Sequence, residues 1–354
     1  MKKATVYLIL ISLIAGVFGT LPAAAQSNFD VAILVVDDFS DTDLSAAEAE
    51  DLADGENCAL NLEGQSFAVR GVSANPIDVP HGDLVYAQIE ELLDEANASN
   101  WIDLIPVDIH GLTTDEVASA IEDAIADHPA DFYVLNMSFA IIPCEYMADF
   151  ADLGGQLMNA RDAKELNRYR GIFQRAVVFY DKTVFPAMSH KMQDATDLDP
   201  LQSLLTSLGS QVIPVASAGN FGLDFPFWPG AWGQVISVSA SEGTGYQASA
   251  SWRKQDDTPL LNAESDNPNK PLRISHYGEV MLPGEYDSDE GLVSGTSFAA
   301  PRLSVLMALY VADVGGSYCT NSNGYPALAS GDWDNLTLAE TVQEYCPALA
   351  AYIP

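Results

Sequence analysis

Five short, almost wholly apolar runs constrain this 354-residue chain more than any other feature: VAILVV from Val31, IDLIPV from Ile102, FYVLNM from Phe132, QVIPVASA from Gln211 and VISVSA from Val235. A strand with one wet face alternates apolar and polar residues. A run without that alternation predicts a strand covered on both faces, as in a parallel sheet. Helical patterns lie between most of these runs. GDLVYAQIEELL places Val85, Ile89 and Leu92 on one face, and TTDEVASAIEDAI does the same with Val117, Ile121 and Ile125, behind a capping box of Thr113 and Glu116. Strands alternating with helices predict an α/β fold with a mostly parallel sheet. In such sheets ligands gather at the carboxyl ends of the strands.

The first residues read as a targeting signal. Met1-Lys2-Lys3 is a basic start, Val6 to Phe18 is apolar but too short to span a bilayer, and Ala23-x-Ala25 is a small-residue cleavage site. Residues 1–25 are therefore expected to be a signal peptide and 26–354 a single exported domain, extracellular or periplasmic. Export permits disulfides. Four cysteines, Cys58, Cys144, Cys319 and Cys346, allow three pairings, of which Cys319 with Cys346 is the most local. It would staple a C-terminal tail at about 313–354. No Cys-x-x-Cys or Cys/His cluster suggests zinc. The acidic stretch Ser40 to Glu56 lacks EF-hand spacing and reads as a solvated loop. The formal net charge of −35 argues against nucleic acid or an anionic membrane as partner once the signal is removed. The segment 141–200 breaks the strand-helix rhythm and is close to balanced in charge, with seven of the fifteen Lys and Arg residues. It reads as an insertion, either a lid over a cleft or a packed excursion.

GLVSGTSFAAPRLSVLMALY, from Gly291, runs from a small-residue turn into an apolar helix and places Ser297 at the junction. A serine nucleophile needs a base, usually histidine, and the base needs a carboxylate. None of the five histidines, His81, His110, His128, His190 and His276, follows Ser297. That argues against the Ser-acid-His order of α/β-hydrolases. The order Asp, His, Ser fits better: Asp37 and Asp38 end the first apolar run, and His81 opens a helix. Taken singly, each of these residues reads as well as a cap, a strand end or a turn.

Together the motifs resemble the subtilisin-like serine peptidases. GTSFAAPRLSVLMAL matches the family's serine motif. VIPVASAGN resembles the strand that delivers an oxyanion asparagine, here Asn220, with Ser217 and Gly219 lining the substrate. FYVLNMSFA resembles the strand that pairs with bound polypeptide through Ser138, Phe139 and Ala140, the last standing where a glycine is usual. The resemblance implies a three-layer fold with helices on both faces of the sheet, and an acyl-enzyme mechanism. Its catalytic residues would be Asp37, His81 and Ser297, with Asp38 as the alternative acid. It implies a secreted endopeptidase acting on polypeptide, without a cofactor. Structural calcium is compatible with this, but no ligand set is legible. Only Gln26 to Asp30 separate the expected cleavage site from the first strand, so no pro-domain is expected. Two motifs depart from the family: Asp37-Asp38-Phe39 replaces Asp-Ser/Thr-Gly, and His81-Gly82-Asp83-Leu84 replaces His-Gly-Thr-His. They motivate the competing reading, a catalytically silent member that binds peptides or assembles with a partner.

Overall fold

The computed structural model of the chain describes residues 28–40, 52, 56–60, 79–147, 180–184, 186, 188, 198–219, 226–241, 280–288, 291–315 and 347. The elements, in chain order, are β1 (Val31–Asp37), β2 (Asn57–Leu60), α1 (His81–Glu95), β3 (Ile102–Asp108), α2 (Thr114–Asp127), β4 (Phe132–Met137) and β5 (Ala140–Pro143). Then come α3 (Pro200–Leu208), β6 (Val212–Ser217), β7 (Ile236–Ser241), β8 (Val280–Pro283), β9 (Glu285–Ser288), β10 (Gly291–Ser294) and α4 (Ala300–Val314). Six strands form one sheet in the order β3-β1-β4-β6-β7-β8, and every neighbouring pair is parallel.

The period of two along β1 divides the interior. Val31, Ile33 and Val35 pack with α1 and α4 on one face, while Ala32, Leu34 and Val36 pack with α2 and α3 on the other. All six are buried, as the unbroken apolar run predicts. The result is the three-layer α/β architecture. The stretch Thr296–Val314 is apolar enough to cross a bilayer by length and composition, but it is largely buried. A helix apolar on nearly every side belongs in a core. Here α4 packs against β4, β1 and β6.

Two elements differ from the sequence expectation. Strand β3 alternates between buried and exposed rather than lying wholly buried, because it is the sheet's edge and only one face is fully covered. Pro106 is tolerated there, since an edge strand can spare an N–H. On α1 the buried stripe is Leu84, Val85, Gln88, Ile89 and Leu93, so the apolar face turns toward Leu93 and Leu92 is only partly covered. The capping box forms as read: Glu116 N–H donates to Thr113 Oγ1 at 3.3 Å, and Thr113 N–H donates to the Glu116 carboxylate at 2.9 Å.

Outside the main sheet, β2 pairs antiparallel with β5. A disulfide joins Cys58 on β2 to Cys144, just past β5. Of the three pairings this is the one compatible with Cys319–Cys346, both of which lie outside the described residues. Part of the 141–200 segment belongs to the core. Ile141, Ile142, Cys144, Met147, Val184 and Met188 are buried in the cluster beneath α2 and α3. Residues 1–27, including the expected signal, and most of the tail lie outside the described residues.

Candidate active site

The carboxyl ends of β1 and β6, the first turn of α1 and the turn before α4 supply the candidate residues. Asp37 is the last residue of β1 and is fully buried. As an odd-numbered residue it leaves the sheet on the α1 face, where His81 opens the helix. His81 Nδ1 lies 2.8 Å from Asp37 Oδ1. A carboxylate can only accept, so Nδ1 carries the proton and Nε2 is the basic nitrogen. Asp37 Oδ1 also accepts the Asp38 N–H at 2.8 Å, which fixes the carboxylate's orientation.

The adjacent Asp38 faces elsewhere. Both of its carboxylate oxygens accept from His110 Nδ1, at 3.0 and 3.1 Å. His110, in the loop after β3, is thus the partner of the alternative acid. Burial raises the Asp38 pKa, and the hydrogen bond from His110 opposes that shift. Asp108 Oδ1 accepts the N–H groups of both Phe39 and His110, so one carboxylate at the end of β3 ties the two loops together.

Gly82 has a local reason. Its N–H donates to Asp38 O at 2.8 Å, and a Cβ there would sit 2.8 Å from that carbonyl and 2.9 Å from the Phe39 ring. The departing pair Asp38-Phe39 and the glycine of the histidine motif therefore form one contact that seats the His81 end of α1.

Ser297 lies in a 3-10 turn, Thr296–Phe298, immediately before α4, and is buried. Three contacts hold this turn. Thr296 Oγ1 accepts the Gly219 N–H at 3.2 Å. Gln88 Nε2, two turns along α1 from His81, donates to Phe298 O at 3.0 Å. Ser138 Oγ donates to Ser297 O at 3.3 Å. Behind Ser138, Asn136 Nδ2 donates to its hydroxyl, and Ser304 Oγ on α4 donates to Asn136 Oδ1. The Phe298 ring lies 5.6 Å from the His81 ring, centroid to centroid. Sequence reading had no signal for Gln88 or Ser304, which look like ordinary helix polar residues. Their role depends on which residue faces them across the core.

Ser217 ends β6 and is buried, as are Phe139 and Ala140. Gly219 has φ +98°, and a Cβ would meet the Phe227 ring at 2.9 Å, so only glycine fits without strain. Asn220 lies outside the described residues. The structure thus brings Asp37 to His81, sends Asp38 to His110, and joins Ser138 and Gly219 to the turn carrying Ser297. Among the described residues no group of three or more His, Cys, Asp or Glu is placed to hold a metal ion.

A buried Asp–His pair ends β1 and opens α1, and a serine turn at the head of a core helix is tied to the residues that follow β4 and β6. The chain belongs to the subtilase family, whose model matches residues 100–321. That span includes Ser297 but neither Asp37 nor His81. No curated protein matches the chain. Among solved structures it is similar to the prenylagaramide maturation protease PagA, at 15% identity over 91% of this chain and 96% of that one, with a TM-score of 0.42. It is also similar to a cold adapted subtilisin-like serine proteinase, at 18% identity over 81% and 78%, TM-score 0.35. A third similar structure is a lanthipeptide protease, at 17% identity over 80% and 73%, TM-score 0.34.

Proposed function

We propose that this subtilase is an exported serine endopeptidase that cleaves polypeptides with Asp37, His81 and Ser297. The observation that carries the reading is the 2.8 Å contact between His81 Nδ1 and Asp37 Oδ1, on the same face of the sheet as the Ser297 turn. Asp37 fixes the tautomer and supports the imidazolium as it forms. His81 Nε2 takes the Ser297 proton as the hydroxyl attacks the scissile carbonyl, then returns it to the leaving amine. Water repeats the cycle on the acyl-enzyme. The oxyanion would be met by the Ser297 backbone N–H, at a helix N-terminus, and by the Asn220 side-chain amide. The substrate would lie extended beside Ser138 and Phe139, in the line that leads to Ala140, with Ser217 and Gly219 on the opposite wall. Export is supported by the basic, apolar and Ala-x-Ala pattern of residues 1–25 and by the disulfide.

The test is hydrolysis of an unfolded protein and of a peptide amide by wild type beside Ser297→Ala and His81→Ala. Each variant should lose nearly all turnover; in subtilisin the corresponding loss is about a million-fold in kcat. Wild-type turnover by Ser297→Ala would sink the proposal. The silent-member reading predicts peptide binding without turnover in the wild type.

A further inference from the structure

Strand β2 stands in the line that an extended substrate would follow. Its register with β5 is Leu60 on Ala140, Ala59 on Ile141, Cys58 on Ile142 and Asn57 on Pro143. On its other side, Ala59 N–H donates to Leu112 O at 3.0 Å, and Cys58 bridges antiparallel to Thr113. Four residues of the chain itself therefore form the middle strand between the loop after β3 and the strand that continues Ser138-Phe139. Ser138 touches the Ser297 carbonyl, so Ser138 marks the catalytic end of that edge and Ala140 lies two residues farther out. Two residues of strand span about 7 Å, and an extended substrate advances at the same rate. One substrate residue then falls beside Ser138, the next beside Phe139, and the third meets Leu60.

Polarity follows from β2 as well. It runs antiparallel, with its C-terminal end toward Ser138. A peptide entering that line with the same polarity presents its carbonyl end to Ser297, so the blocked positions belong to the acyl side of the scissile bond. Nor is β2 a loose flap. Cys58 and Ala59 are buried, the disulfide ties Cys58 to Cys144, and Asn57 Nδ2 donates at 2.7 Å to Asp199 Oδ2, the carboxylate that also caps α3.

Resting on the peptidase reading above, we propose that β2 is a built-in occupant of the substrate edge, so that the enzyme reads by main-chain pairing only the first two residues on the acyl side. Residues beyond the second bend away and contribute little to specificity. On an open edge each further backbone pair would be worth roughly threefold to tenfold. The experiment is a series of peptide anilides with one, two, three and four acyl residues, cleaved by the oxidised full-length enzyme. The proposal predicts a gain in kcat/KM up to two residues and less than a threefold change from two to four. A rise beyond threefold from two to four overturns it. The variants Cys58→Ser and Ala59→Pro, the second removing the N–H given to Leu112, should restore a length dependence between two and four residues. If either folds and its profile stays flat, β2 is not the obstacle and the proposal falls. A small fluorophosphonate, which needs no peptide subsites, separates the two readings. Labelling of Ser297 with no anilide cleaved by wild type or variants defeats the β2 proposal alone. Absence of both labelling and cleavage defeats the peptidase reading and takes this one with it.

Discussion

Asp37 and Asp38 are neighbours of equal charge that leave the end of β1 in different directions, one to His81 and one to His110. That the two side chains diverge was legible, because a strand's period of two sends adjacent side chains apart. The partner of Asp38 was not, because His110 is seventy-two residues away and only the fold brings the two together. Asp37→Asn should lower kcat by about ten-thousand-fold, the scale on which a triad acid acts, whereas Asp38→Asn should cost less than about tenfold. Parallel kinetics of the two variants decide the acid. Asp38 also has a pH signature. Its folded pKa is raised, chiefly by burial, above the unfolded value of 3.8. Between those two values the folded state binds more protons, so its contribution to stability falls as pH rises through that window and stays low above it. Asp38→Asn removes the effect. Its urea midpoint relative to wild type should therefore be higher at about pH 6 than at about pH 3, and an unchanged difference would contradict the shift.

At the scale of elements, periodicity and capping were readable, while the links between elements were not. The Thr113–Glu116 box follows from four adjacent residues, and it formed. Strand β2 has four residues, no alternation and a partner more than eighty residues away, so nothing local announced it. The same holds for the strut from α1 to the serine turn, Gln88 Nε2 to Phe298 O. Gln88→Ala leaves a buried carbonyl without its donor and should cost about 1–3 kcal/mol of stability. Because the strut joins the helix carrying His81 to the turn carrying Ser297, kcat should fall while KM changes little. Equilibrium unfolding and steady-state kinetics on the same sample check both. A loss confined to KM would mean that Gln88 supports substrate binding rather than the catalytic geometry.

At the scale of the whole molecule, five continuous apolar runs were enough to announce a parallel sheet, and each became one of its strands. The sixth strand, β8, has only four residues and sits at the far edge, where its apolar run is too short to distinguish from a loop. The Cys58–Cys144 bridge spans a sequence separation of 86 and ties the long connection after β1 to the segment after β4. Closing a loop of that size constrains the unfolded chain by about 4–5 kcal/mol on the chain-entropy account. Loss of the bridge should lower Tm by several degrees, readable as a difference between oxidised protein and the Cys58→Ser/Cys144→Ser pair. An unchanged Tm would show that the bridge constrains little. The central claim is that this chain assembles an activated serine from three distant segments. The most direct measurement is intact-mass analysis after exposure to a fluorophosphonate, comparing wild type with Ser297→Ala and His81→Ala. The account predicts one stoichiometric adduct on wild type and none on either variant. An unlabelled wild type, or equal labelling of Ser297→Ala, would contradict it.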